Sequence, residues 1–224
     1  MKFKTLKDHI YEYISSRITD GSLKANEKIN EKEICDDLDV SPTPVKEVLI
    51  QLETDGYLKR IPRRGFYVKE LTLEKVREKY IIIGALDGLA ASLSLPHIIK
   101  KDIEQMKYIT EMIDIAIKAK KYNQYFQLQT EFHNVYLEKC GNEELIILLD
   151  RLKKSFIKQT YYIQEREERL FDILQETNNE HKKIISLFEI KDKTRLEDYI
   201  RNIHWSVKHA GLDAFQSKDN SIES

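Results

Sequence analysis

Val40-Ser41-Pro42-Thr43-Pro44-Val45-Lys46-Glu47-Val48-Leu49 opens a helix. Ser41 stands at the N-cap, and Pro42 takes the first helical position, where a missing N–H is no loss. Val45, Val48, Leu49 and Leu52 recur at helical spacing, and Gly56 can leave the helix with positive φ. Just upstream, Leu38-Asp39-Val40 reads as a tight turn. Asn30, with Glu33 three residues on, reads as a capping box opening a short helix through about Asp37. Another helix is predicted from Leu6 to about Asp20. Thr5 caps it, Asp8 sits near its dipole, and Leu6, Ile10, Ile14 and Ile18 form its buried stripe. A short helix, a tight turn and a second helix can seat that second helix in the DNA major groove.

The next residues predict a hairpin. Leu58-Lys59-Arg60-Ile61 has strand character, Pro62-Arg63-Arg64-Gly65 is a turn, and Phe66-Tyr67-Val68 returns. Four of the six residues 59–64 are basic. Such a hairpin after a recognition helix is a wing that meets phosphates or enters the minor groove. The alternative is a solvated hairpin whose charges only blunt an exposed edge.

Residues 5–68 resemble the winged-helix domain of GntR-family transcription regulators. The resemblance is carried by Ile18, Gly21, Leu23, Ile29, Glu31, Leu38, Val40, Ser41, Thr43, Pro44, Val45, Glu47, Leu52, Glu53, Gly56, Pro62, Arg64, Gly65 and Val68. It implies double-stranded DNA as partner. Ser41, Thr43 and Lys46 would lie at the exposed start of the recognition helix, with Lys32, Arg63, Arg64 and Gly65 making further contacts. The chain departs from the family at Ala25-Asn26, where Pro-Gly is usual, and at Pro42 and Lys46, where Arg is usual. Arg can contact guanine bidentately, whereas Pro has no donor and Lys no planar fork, so the operator sequence does not transfer.

The 224 residues allow two domains with separate cores. Three of the four prolines lie within residues 42–62, and none follows Pro96, as suits a mainly helical chain. Net charge is −1, and residues 1–70 carry 13 basic and 13 acidic side chains. DNA affinity must then rest on local basic clusters rather than bulk charge. Cys35 and Cys140 fall in different predicted domains, which argues against a disulfide and for a reducing, cytoplasmic setting. No apolar run is read as membrane-spanning, and no signal-peptide core is seen at the N-terminus.

The expected organisation is a winged helix-turn-helix over 1–70, an all-α bundle of six or seven helices over 71–216, and a disordered tail over 217–224. Thr72 caps the bundle's first helix, which carries Leu73, Val76, Tyr80, Ile83, Leu86, Leu89, Ala90 and Leu93 before Pro96. Further helices are predicted over about 100–119, 121–139, 143–165, 178–190 and 193–215. The run Glu165-Arg166-Glu167-Glu168-Arg169 reads as solvated surface. His133, with Gln129 one turn before it, His181 and His204 each lie on or beside the inward stripe of a different helix. Neutral imidazoles converging inside a bundle can bind Zn²⁺ or a similar ion. Equally, histidines near an apolar stripe can be hydrogen-bonded core residues, and spacings of 48 and 23 residues are no metal signature.

The order Glu131-Phe132-His133, Gly141-Asn142, Glu180-His181 and then His204 resembles the FCD ligand-binding domain of the FadR subfamily. That resemblance implies a divalent metal held by His133, His181 and His204. The family's usual Asp, one turn before the first histidine, is here Gln129, which can offer only a neutral carbonyl oxygen. Ile83 and Asp87 stand where the family often has Arg-x-x-x-Glu. The resemblance also implies a small-molecule effector, an organic acid, and a homodimer on a pseudo-palindromic operator. The expected function is therefore a ligand-responsive transcription regulator and not an enzyme. Two alternatives stand beside it: a metal-dependent hydrolase using the histidines, and a constitutive architectural DNA-binding protein.

Overall fold

A computed structural model describes residues 4–19, 21–70, 72–154 and 167–212. They fall into two compact units: of the described residues, 4–76 group with 153–154 and 211–212, and 77–152 group with 167–210.

The first unit holds α1 (Leu6–Thr19), α2 (Glu31–Leu38), α3 (Pro42–Thr54) and a hairpin of β1 (Leu58–Ile61) and β2 (Gly65–Val68). Thr5 and Asp8 cap α1 reciprocally: Thr5 N donates to Asp8 Oδ2 at 2.8 Å and Asp8 N to Thr5 Oγ1 at 3.2 Å. Asn30 Oδ1 accepts from Glu33 N at 3.3 Å at the start of α2. Asp39 then turns the chain in the left-handed region, φ 51°. The end of α3 is fixed by Tyr57 N to Leu52 O and Gly56 N to Glu53 O. That paired closure requires positive φ at Gly56, which is 86°. Ile10, Ile14 and Ile18 of α1 are buried, as are Ile34, Val45, Val48, Leu49, Leu52, Leu58, Phe66 and Val68. The hairpin is antiparallel, pairing Leu58 with Val68 and Ile61 with Gly65. Residues 26–29 run beside β2, through Asn26 N to Val68 O, Val68 N to Glu27 O and Ile29 N to Phe66 O.

Two expectations here are corrected. Leu6 is exposed at the first residue of α1. Ser41 stands at the N-cap of α3, but its hydroxyl makes no capping bond. Pro44 removes one of the two amides, at the second and third helical positions, that such a cap could use, leaving only that of Thr43.

The second unit is built from α4 (Leu73–Ser94) beyond Val76, α5 (Lys100–Lys118), α6 (Tyr122–Leu137), α7 (Glu143–Lys154) up to Leu152, α8 (Glu167–Glu189) and α9 (Lys193–Tyr199). Thr72 caps α4 through Lys75 N at 3.3 Å. Helix α5 packs on α6 and α8, and α8 on α9. Met106, Ile113, Phe132, Tyr136, Leu149, Ile184 and Phe188 lie in the core.

Several predicted features differ. Leu89 is partly exposed rather than inward. Helix α8 begins at Glu167, well before residue 178, because Leu174 already packs in the core. The helix expected over 193–215 is interrupted. After α9, Ile200–His204 forms one π-helical turn closed by Trp205 N to Ile200 O at 3.0 Å, and Val207–Leu212 is a 3₁₀ turn. Against the sequence expectation, Leu73–His97 is long and apolar enough to cross a membrane by length and composition. Its most apolar window has mean hydropathy 1.2, but 56% of that window is buried within the fold, as in a core helix. The latter part of the predicted 143–165 helix, residues 165–166 of the charged run and the tail over 217–224 lie outside the described residues.

Candidate functional site

Gly84 and Gly88 lie one turn apart on α4, where α9 and the π turn approach the helix backbone. A Cβ at Gly84 would stand 2.8 Å from Arg201 O and 3.0 Å from Trp205 Cβ; at Gly88 it would stand 2.8 Å from Glu197 O. Only glycine admits this approach. It seats the π turn, and hence His204 and Trp205, beside Asp87 of α4. Trp205 Nε1 donates to Asp87 Oδ2 at 2.7 Å.

His133 of α6, His181 of α8 and His204 meet in the interior of this unit. All three are buried, and one ring nitrogen from each lies within 4.8 Å of the others. Each ring is held from its Nδ1 side. His133 Nδ1 is 2.5 Å from Tyr136 Oη and 3.1 Å from Asp87 Oδ2, while Tyr136 Oη donates to Asp87 Oδ1 at 3.0 Å. His204 Nδ1 lies 3.0 Å from Glu180 Oε2, and the other oxygen of Glu180 lies 3.3 Å from His209 Nε2. His181 Nδ1 faces Asn178 Oδ1 at 3.4 Å. Asn178 in turn donates to Thr110 O at 2.9 Å and Asp114 Oδ1 at 2.7 Å, tying α8 to α5. Lys182 and Gln175 also bond Asp114.

These acceptors set the tautomers. With a phenol oxygen, carboxylates and an amide oxygen facing Nδ1, each ring carries its proton there and turns an Nε2 lone pair inward. His133 Nε2 and His204 Nε2 are 3.2 Å apart. Two lone pairs at that distance repel unless a cation or proton lies between them. Two nitrogens on a tetrahedral Zn²⁺, at ~2.0–2.1 Å each, stand about 3.3 Å apart. The His133–His204 pair therefore has the spacing of two donors on one divalent cation, with a His181 ring nitrogen within 4.8 Å of both.

Burial raises the pKa of Glu180, but hydrogen bonds from His204 and His209 outweigh it and hold the carboxyl below its ordinary value. Burial, reinforced by the Asp87 charge, pushes the Tyr136 phenol well above its own, so it stays a donor. Gln129 is half-buried on α6, one turn before His133. Asp87, Glu180, Tyr136 and Trp205 complete the arrangement. In the sequence, Asp87 and Glu180 stand out only as motif positions.

In the first unit, Ser41, Thr43 and Lys46 are exposed at the start of α3, opposite its buried face, and Lys32 is exposed on α2. Arg63 and Arg64 are exposed at the hairpin tip, and Gly65 opens β2. Glu47, beside Lys46, pairs with Lys7 at 2.7 Å. The guanidinium of Arg60 lies over the Phe66 ring at 5.7 Å. At the hairpin base, Asn26 accepts from Lys59 Nζ and donates to Glu70 Oε2 at 3.0 Å.

Comparison with known proteins places both units. Residues 6–68 match the bacterial regulatory proteins of the gntR family, and residues 80–204, more than half the chain, match the FCD domain. The chain is 29% identical over 146 residues to the HTH-type transcriptional regulator YdhC of Bacillus subtilis, covering 63% of this chain and 64% of that one. It is 26% identical over 156 residues to the HTH-type transcriptional repressor RspR of Escherichia coli, covering 70% and 68%. Among solved structures, Escherichia coli McbR/YncC superposes with a TM-score of 0.74 at 18% identity, covering 94% of this chain and 98% of that one. A GntR-type regulator from Rhodococcus sp. RHA1 gives 0.70 at 15% identity, covering 94% and 99%. At those identities the structural likenesses speak for the fold alone. The matched families and sequence relatives are transcription regulators, not enzymes. With a winged helix matched over 6–68 and a helical unit matched over 80–204, the chain belongs to the gntR family of bacterial regulatory proteins, with an FCD domain.

Proposed function

We propose that this chain is a ligand-responsive regulator that binds DNA as a homodimer on a pseudo-palindromic operator, in the cytoplasm. Residues 1–70 would bind DNA, and residues 71–216 would bind effector and pair the subunits. The observation that carries the reading is the division of α3: Val45, Val48, Leu49 and Leu52 are buried, while Ser41, Thr43 and Lys46 face solvent at its start. An exposed helix start with arginines at a neighbouring hairpin tip suits a recognition helix and wing. Thr43 and Lys46 would reach base edges. Lys32, Arg63, Arg64 and the backbone at Gly65 would meet phosphates.

In the helical unit, His133, His181 and His204 would hold a divalent ion, with Gln129 as a weak neutral neighbour. When bound, that ion supplies a Lewis-acidic centre for an anionic group, which is the basis for an organic acid as effector. The chain's own part is to fix three imidazoles by their Nδ1 protons and to keep the centre buried. Effector binding changes DNA affinity only if the effector prefers one arrangement of the dimer, and DNA must then alter effector binding by the same factor.

The test is fluorescence anisotropy on a duplex selected by this protein, titrated with small organic acids with and without Zn²⁺. A shift in DNA affinity with at least one acid, abolished by chelation, is expected. DNA binding insensitive to every acid and to chelation would leave a constitutive DNA-binding protein instead.

A further inference from the structure

The substitution at residue 129 removes a negative charge from beside the histidines, yet the surrounding shell is rich in negative charge. Asp87 lies 3.1 Å from His133 Nδ1 and is fully buried. Glu180 lies 3.0 Å from His204 Nδ1 and is also buried. The two carboxylates come from different helices, α4 and α8, and flank the 3.2 Å Nε2–Nε2 pair from outside. Behind His181 the corresponding acceptor is the neutral amide of Asn178. So two of the three rings are backed by carboxylates.

We propose that Asp87 and Glu180 are the positioning and charge-balancing carboxylates of this centre, allowing it to take a divalent cation with no anionic side chain at position 129. The inference rests on the metal reading above. Three neutral imidazoles and an amide leave both charges of the ion uncompensated in a buried place, which is costly. A carboxylate accepting the Nδ1 proton makes Nε2 a better donor and fixes its direction, and two of them match the ion's charge. Trp205 and Tyr136 serve Asp87 in this scheme: their two hydrogen bonds hold its oxygens in place.

The chain carries a single tryptophan, and its indole ring centroid lies 5.9 Å from that of His204 and 6.1 Å from that of His133. Its fluorescence is a direct readout. The experiment is titration of the full-length parent, D87N, E180Q and E189Q with Zn²⁺, followed by Trp205 emission and by competition with a chelator. Circular dichroism reports folding. Asp87→Asn and Glu180→Gln should each lower Zn²⁺ affinity by about 10–100-fold. Glu189→Gln removes an exposed carboxylate at the end of α8 that pairs with Lys107 at 2.6 Å, and should change it by less than threefold. Folded variants that bind Zn²⁺ like the parent would overturn the inference while leaving the metal reading intact. A parent that binds no Zn²⁺ would overturn both. Should Asp87→Asn fail to fold, Glu180→Gln decides alone.

Discussion

His133 and His204 face each other through their Nε2 atoms at 3.2 Å, though they are 71 residues apart in the chain. Each is backed on its far side by a buried carboxylate. Two lone pairs so arranged repel, and a bound cation or a shared proton would relieve that repulsion. Gln129→Asp should raise Zn²⁺ affinity by tenfold or more, and should raise the thermal midpoint in zinc above the parent's. If the histidines are only core residues, the new carboxylate is buried without compensation. The variant then melts lower, with no response to zinc.

The close approach of α9 to α4 gives a second expectation. Gly84→Ala puts a methyl group 2.8 Å from Arg201 O, so the π turn must move. The cost should be about 1–3 kcal/mol, read by urea unfolding. Zn²⁺ affinity should fall as well, because His204 rides on the displaced turn. A destabilised variant with parental zinc affinity would show that the turn does not position the ring.

Acid should reveal the α5–α8 tie. Burial opposes the Asp114 charge, but hydrogen bonds from Lys182, Gln175 and Asn178 outweigh it and lower its pKa below 3.8. A carboxyl depressed in the folded state adds stability above its unfolded pKa and loses it as pH falls through the folded value. Asp114→Asn should therefore cost on the order of 2 kcal/mol at pH 7. Its deficit should shrink as pH is lowered from about 5 towards 3, measured as unfolding midpoints of both proteins. A deficit constant over that range would mean that the charge of Asp114 plays no part.

The wing is tested by salt. Replacing Arg63 and Arg64 together with Ala should weaken binding to every duplex. If both meet phosphates, the slope of log affinity against log salt should fall by about 2. An unchanged slope would remove the wing from the interface.

The winged unit was largely legible because its signals are local. The caps at Thr5 and Asn30, the stripe from Val45 to Leu52 and Gly56 each act within a few residues. Periodicity failed where it names a stripe without naming its cover, as at Leu6 and Leu89. The π turn was illegible because it depends on two glycines more than a hundred residues earlier in the chain. The rings themselves could be placed on inward faces from spacing. The shell around them could not, since Asp87 meets Tyr136 and Trp205 at separations of 49 and 118 residues.

The most direct test of the DNA-binding account is selection of duplexes from a random library by the full chain, repeated with Thr43→Ala. The account expects enrichment of two half-sites related by two-fold symmetry, with Thr43→Ala altering the preferred bases within each half-site. A library that emerges unenriched, or an identical preference from the variant and the parent, would contradict the assignment of α3 as the element that reads DNA.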